Sequence, residues 1–321
     1  MKKIQILMST YNGKAYLREQ LDSIFGQDCE NAGVAEFFLF VRDDGSTDGT
    51  QEILKEYREE NPEKFRWAQG KNQGVVRSFF ALLKHADEQM DYYAFADQDD
   101  YWMPDKLSSG IRGLEGLEDG WKPSLYCCRP KLVDGNLQEL VTDIRRPPVR
   151  PSFGNALVEN VVTGCTVIMN QALRKMVAVQ LPKFTTMHDR WLYLVAGCFG
   201  EIIYDETPHI CYRQHSTNVM GFSSNRFAEL KERLSRFRGR RRDISRQTAE
   251  FLRIFGDLSR EDLRPYAMDR KVLANLHLAE DLVSGRHSFP KRLKIVKDRR
   301  VYRQRKNDNR IFMFLILIGS Y

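Results

Sequence analysis

Apolar runs that stop abruptly on polar clusters recur through the first hundred residues. Lys3-Ile4-Gln5-Ile6-Leu7-Met8 reads as a buried strand and breaks at Ser9-Thr10-Tyr11-Asn12-Gly13. Ala15, Leu17, Leu21, Ile24 and Phe25 then recur at helical spacing as far as Gln27. Residues 37–41 form a second apolar run, closed by Asp43-Asp44-Gly45-Ser46-Thr47-Asp48-Gly49-Thr50. Thr47 or Asp48 is placed to cap a helix through Ile53, Leu54 and Tyr57. Residues 65–68 make a short third strand, and Asn72-Gln73-Gly74-Val75-Val76-Arg77 leads into a helix bearing Phe79, Phe80, Leu82 and Leu83. A fourth run, Tyr92-Tyr93-Ala94-Phe95-Ala96, ends in Asp97-Gln98-Asp99-Asp100. Strands alternating with helices predict an α/β fold with a mostly parallel sheet, in which ligands bind beyond the carboxyl ends of the strands. All three polar clusters fall at such ends.

The middle of the chain is less regular. Residues 125–128 and 131–133 flank a turn at Asp134-Gly135-Asn136, which predicts a hairpin or edge strands. The Arg- and Pro-rich residues 143–153 read as an acceptor-side loop. Residues 163–169 read as a strand, followed by a helix through Leu173, Met176 and Val177. Met187-His188-Asp189-Arg190-Trp191 opens another helix, and residues 202–204 and 210–213 are closing strands. From about residue 226 the chain turns helical and basic, and it ends on the apolar residues 311–318.

Charge divides the chain in the same place. Residues 1–220 carry a net charge of −6 and residues 221–321 one of +13, together the +7 of the whole chain. We therefore expect an α/β domain over 1–222 and a helical, basic region over 223–321 that meets a membrane surface or a second subunit. No apolar stretch reaches membrane-spanning length, and the N-terminal run is too short and polar for a signal peptide. The cysteines lack CxxC spacing and read as reduced thiols of a cytosolic protein. The basic tail carries no nucleic-acid-binding motif and follows an acidic front, so nucleic acid is not an expected partner.

The Asp97–Asp100 cluster has a chemistry of its own. Three carboxylates within four residues raise one another's pKa unless a cation sits among them. Hard oxygen ligands at a strand end suit Mg²⁺ or Mn²⁺, which in turn suit a phosphate-bearing substrate. The plainer alternative is a solvated turn in which an Asp, Asp100 for instance, caps the next helix.

Three strand-end clusters in this order, with Asn72-x-Gly74 and Arg77, resemble the inverting family 2 glycosyltransferases of the GT-A fold, over residues 1–220. Further matches point toward bacterial rhamnosyltransferases that build cell-wall or capsular polysaccharides. These are Asp97-Gln98-Asp99-Asp100-Tyr101-Trp102, Thr163-Gly164, His188-Asp189-x-Trp191 and Tyr212-Arg213-Gln214-His215-x-x-Asn218-Val219-x-Gly221.

The resemblance implies transfer of a sugar, L-rhamnose from dTDP-rhamnose, onto a growing lipid-linked polysaccharide at the inner face of the cell membrane. A UDP-linked hexose donor and a non-catalytic nucleotide-binding module are the alternatives. Thr10, Tyr11, Asn12, Asp43 and Asp44 would line the nucleoside pocket, with Asp97 toward the ribose and Gln98 beside it. Arg77 would approach the phosphates. Asp99 and His215 would hold Mn²⁺ or Mg²⁺, and Asp189 would be the general base, although Asp is also a common helix cap. His188 reads as a packing or supporting residue. Trp102 and Trp191 are either a sugar and acceptor platform or core aromatics. The C-terminal region leaves a peripheral membrane contact and a homodimer contact both open.

Overall fold

Alternating side chains on the central strands feed two separate cores, one on each face of a single sheet. The computed structural model describes residues 1–117, 120–140, 148–214 and 242–321. Strands β1 (Lys2–Thr10), β2 (Ala35–Asp43), β3 (Phe65–Gln69) and β4 (Tyr92–Ala96) run parallel, with β1 between β2 and β4. On β1, Ile4, Ile6 and Met8 point to one core and Leu7 to the other; on β4, Tyr92, Ala94 and Ala96 oppose Tyr93 and Phe95. This period-two division buries β4 along its whole length, as expected for a parallel strand covered on both faces.

The chain builds outward from β1 in two directions. Helices α1 (Leu17–Phe25) and α2 (Thr50–Glu60) join β1 to β2 and β2 to β3. Helix α3 (Val75–His85) then carries the chain back to β4 on the other side of β1. That reversal leaves a crevice at the carboxyl ends of β1 and β4, the usual ligand position in open α/β sheets. Beyond β4 the sheet order continues through β8 (Ile168–Asn170), β6 (Ser124–Cys128) and β9 (Glu201–Asp205). Only β8 runs against the rest of this sheet.

Three expectations need correction. β6 does not form a hairpin with β7 (Lys131–Val133). It lies inside the large sheet, whereas β7 is an edge strand, as the alternative expectation has it, in a small sheet with β5 (Tyr101–Trp102) and β10 (Ile210–Arg213). The turn after β7 instead closes on itself, with the Asp134 carboxylate accepting from the N–H groups of Asn136 and Gln138. Residues 164–166 form a 3₁₀ turn, which shortens the expected strand to Ile168–Asn170. Finally, α2 is capped by Gly49, whose left-handed φ of 97° suits glycine, and not by Thr47 or Asp48. The Asp48 carboxylate still accepts from the Thr50 N–H at 3.1 Å.

The remaining helices divide between the faces: α4 (Lys106–Glu115) packs on the core that holds Ile4 and Ile6, and α5 (Phe153–Val158), α6 (Gln171–Val179) and α7 (His188–Phe199) on the core that holds Leu7. After residue 241 come α8 (Asp243–Phe255), α9 (Arg270–Gly285), α10 (Phe289–Lys297) and α11 (Lys306–Leu317). Helix α7 is buried almost all round because the sheet lies on one side and α8 and α9 on the other. Phe251 and Phe255 of α8 pack beside Trp191 and Phe199 at ring separations of 5.5–6.3 Å. The basic C-terminal region thus shares a core with the sheet, and the expected boundary at 222–223 lies outside the described residues.

Candidate active site

The three strand-end clusters converge on the crevice and are stitched to one another by hydrogen bonds. The backbone of Tyr11 is bracketed by Gln98, whose carboxamide accepts from the Tyr11 N–H at 2.8 Å and donates to its carbonyl at 3.1 Å. Asn12, at a left-handed φ of 50°, accepts from the Thr47 N–H, and its own N–H donates to Ser46 Oγ. Gly13 donates to Thr50 Oγ1, and a Cβ on Gly13 would overlap the Gln98 carboxamide. The first and second clusters, and the first and fourth strands, are therefore locked together at their tips.

Asp43 and Asp44 are fully buried and complete this lattice. Asp43 accepts from Thr10 Oγ1, from the N–H and hydroxyl of Ser46, and from Gln51 Nε2. Asp44 accepts from the Arg42 guanidinium and from the N–H groups of Gln73 and Gly74. A carboxylate offers about four acceptor sites, so a nucleobase N–H would have to displace one of these partners. Tyr11, by contrast, keeps about half of its surface exposed beside Gln98. Arg77 is exposed on the first turn of α3, directly after the Gln73-Gly74 loop that Asp44 holds.

At the tip of β4 the acids are crowded. An oxygen of Asp97, an oxygen of Asp100 and the sulfur of Cys165 lie within 4.8 Å of one another. Burial and then the neighbouring Asp99 push the Asp97 carboxyl up, with Asp189 adding to the effect. Asp100 is raised well above the carboxylate range by the same two causes. It does not cap the following helix, whose N-cap is Asp105. Instead Asp100 accepts from the Arg213 N–H at 3.2 Å, while its Oδ2 is buried with no hydrogen-bond partner. Arg213 also donates to the Asp99 carbonyl at 2.8 Å, fixing this turn from β10.

A buried lysine stands behind the acids. Lys106 has no exposed surface, and its Nζ lies 3.4 Å from the centre of the Trp102 ring with no hydrogen-bond partner. Burial lowers its pKa to about 8, against the pull of Cys128, Cys165, Asp100 and Asp97. The orphaned Asp100 oxygen, an acceptor without a donor beside the Asp97 carboxyl, fits a divalent cation at this strand tip. The Cys165 thiol, pushed up by burial and by Asp100, is a poorer ligand than the carboxylates.

Asp189 reaches the same crevice from α7, where it is the second helical residue behind the N-cap Met187. Asn160 Nδ2 donates to its Oδ1 at 3.0 Å, and Asn160 is itself held by the Val162 N–H. Burial raises the Asp189 pKa to about 6, although the Arg190 N–H, Asn160 and the Gly164 N–H all favour the charged form. The Gly164–Thr166 turn joins the two sides of the site. A Cβ on Gly164 would sit 3.7 Å from the Asp189 Cβ, while the next residue, Cys165, meets Asp97 and Asp100.

The tryptophan platform is not supported. Trp102 is 1 % and Trp191 0 % exposed, so neither offers a ring face to a sugar. Trp102 packs against Lys106, and Trp191 packs against α8. His188 is a buried packing residue, stacked on Phe79 at 4.1 Å and kept neutral by burial, which lowers its pKa to about 3. His215 lies outside the described residues. Sequence reasoning missed Asn160, Cys165 and Lys106. Lys106 alone left a trace, as a lysine one helical turn after Trp102.

The chain is similar to relatives of known name. A dTDP-rhamnosyl transferase of Shigella flexneri, RfbG, is 28 % identical over 243 residues, 70 % of this chain and 77 % of the relative. A putative teichuronic acid biosynthesis glycosyltransferase of Bacillus subtilis, TuaG, is 24 % identical over 232 residues, 71 % of this chain and 84 % of the relative. Among solved structures, residues 1–349 of S. aureus TarS bound to UDP-GlcNAc superpose with a TM-score of 0.56 at 18 % identity, covering 100 % of this chain and 88 % of the other. That likeness establishes the GT-A fold. The family description "Glycosyl transferase family 2" matches residues 5–179, which hold β1 from Gln5 onward, all of β2 to β4 and the acids at their tips. With more than half of its length matched, the protein belongs to glycosyl transferase family 2.

Proposed function

We propose that the protein transfers L-rhamnose from dTDP-rhamnose to a hydroxyl of a growing lipid-linked polysaccharide, with inversion at the anomeric carbon. The supporting observation is the Gly164–Thr166 turn, which sets Asp189 against one side and the Asp97 and Asp100 carboxyls against the other. An acceptor activated by Asp189 would therefore face a donor whose diphosphate lies over the strand tip. The rhamnosyl assignment draws on the 28 % identical RfbG; a UDP-linked hexose donor is the alternative, given TarS with UDP-GlcNAc.

In this reading the donor side is a preformed cradle. The Tyr11 ring stacks on the base, and Thr10, Asn12, Asp43, Asp44 and Gln98 fix the pocket wall on which it rests. Arg77 meets the phosphates as a fixed cation. Mn²⁺ or Mg²⁺, held by Asp99 and His215, would offset the charge that builds on the departing diphosphate, with Asp97 toward the ribose. Asp189 takes the proton of the acceptor hydroxyl as its oxygen bonds to the anomeric carbon, and the bond from that carbon to the diphosphate oxygen breaks. The nucleoside diphosphate leaves with the electron pair. Residues 1–222 form the catalytic part, and 223–321 the helical, basic region that meets a membrane surface or a second subunit.

A thermal-shift series with dTDP, UDP, GDP and ATP, with and without Mn²⁺, tests the donor class, because a ligand of the native state raises its apparent stability. We expect dTDP with Mn²⁺ to give the largest rise and Asp99→Asn to remove the metal-dependent part. A larger rise with ATP, or none with any diphosphate, would overturn the reading.

A further inference from the structure

Helix α11 carries two faces of opposite character. Phe312 and Ile316 are buried against the rest of the protein, whereas Ile311, Phe314 and Ile318 are each more than half exposed. These three recur at helical spacing, and Lys306 and Arg310 are exposed on the same side one turn earlier. The neighbouring helix α10 exposes Phe289 at 58 %. The two helix ends meet at Arg292, whose guanidinium lies 5.7 Å from the Phe289 ring and against Gly319. An exposed apolar stripe edged with cations is unusual for a surface that faces only water.

The surrounding charge identifies the partner. Residues 286–310 hold 11 Lys and Arg against two Asp, and Lys291, Lys297, Arg299 and Lys306 are exposed among them. No helix among the described residues is long and apolar enough to cross a membrane. We propose that the α10–α11 face is a docking surface for an anionic lipid bilayer, with Phe289, Ile311, Phe314 and Ile318 entering the headgroup region and the lysines and arginines meeting lipid phosphates.

The same helices are tied to the acceptor side of the site. The Gln304 N–H, just before α11, donates to the Glu159 carboxylate at 2.7 Å, and Tyr302 accepts through its carbonyl from Asn155 Nδ2 at 2.8 Å. Asn160, the residue after Glu159, donates to Asp189. Docking through α10 and α11 therefore anchors the protein by the segment that abuts the proposed base. This deepens the lipid-linked acceptor reading, on which its purpose rests, but the binding itself is measurable without any sugar transfer.

The test is co-sedimentation of the full chain with phosphatidylcholine vesicles, with and without phosphatidylglycerol. Truncating α11 would also remove the buried Phe312, Ile316 and Tyr321, so exposed positions are substituted instead. We expect binding only with phosphatidylglycerol, weakening with added salt. Phe314→Ser combined with Phe289→Ser should reduce the bound fraction about tenfold with the melting temperature unchanged. Each of Lys297→Glu and Lys306→Glu should reduce it roughly fivefold or more. Equal sedimentation with both vesicle types, or none with either, would overturn the proposal. So would a dimer in solution that Phe314→Ser converts to a monomer, since the stripe would then be a subunit contact. Vesicle binding that persists while dTDP has no effect on melting would leave this surface standing and defeat the donor reading.

Discussion

The proposed donor and acceptor sides of the crevice are built in opposite ways. The donor side comes from the first hundred residues, where each of three neighbouring strands ends in its own polar loop. Those loops are bound to one another by short hydrogen bonds such as Gln98 to Tyr11 and Asn12 to Ser46 and Thr47. The acceptor side is gathered from distant segments. Asp189 is oriented by Asn160, and its helix is buried beneath α8, while the Glu159 beside Asn160 is held by Gln304. One side is rigid through local polar contacts and the other through long-range apolar packing. The two should therefore fail separately.

The strongest break is at Asp189. Asp189→Asn keeps the shape and the Asn160 contact region but removes the proposed base, so sugar transfer should fall about 10²–10⁴-fold. Nucleotide affinity, read by calorimetry with dTDP and Mn²⁺, should stay within a factor of a few. Loss of both together would mean that the two sides are one cooperative unit.

Packing supplies the next effect. Phe251 of α8 touches Phe153, Trp191, Phe199 and Phe255 and has no exposed surface. Phe251→Ala should lower stability by about 3–5 kcal/mol, seen as a lower urea midpoint. Transfer should suffer in the folded fraction because α7 loses its backing. A change below 1 kcal/mol would show that the C-terminal helices contribute little to holding Asp189.

A polar break on the donor side should be smaller. Gln98→Ala removes two hydrogen bonds at a partly exposed site, for a loss of about 1–2 kcal/mol. It should weaken dTDP binding several-fold and leave the pH dependence of transfer unchanged. A shift in that pH dependence would show that the donor lattice reaches across to Asp189.

The same contrast explains what could be read from the chain. The sheet and the three clusters were legible because period-two apolar runs and the Asp- and Gly-rich loops that end them are local signals. The pairing of β6 was not, since four residues of apolar run do not specify which neighbour they join. Trp102 and Trp191 illustrate a different limit. An aromatic beside a polar motif fits a sugar platform and a core equally well until its burial is known. For Trp191 the answer was partly present, because the following residues of α7 are apolar around the whole helix and such a helix must be covered on all sides. Nothing in the local sequence links Asn160 to Asp189 or Cys165 to Asp100; those contacts exist only after the chain has folded.

The smallest effect isolates the acceptor side most cleanly. A base works only when deprotonated, so with a pKa raised to about 6 by burial, transfer should decline as the pH falls through 6. Asn160 donates a hydrogen bond to the charged carboxylate and so holds that pKa down. Asn160→Ala removes the donor, favours the protonated form and should move the acidic limb of kcat/KM upward by on the order of one pH unit. Well above that limb the rate should return close to that of the parent protein, because the base itself is intact. Binding of dTDP should change far less, since the hydrogen bonds of Asn160 among the described residues go to Asp189 and Val162 and not to the donor-side loops. An unmoved acidic limb would assign the titration to another group and remove the main physical support for Asp189 as the base.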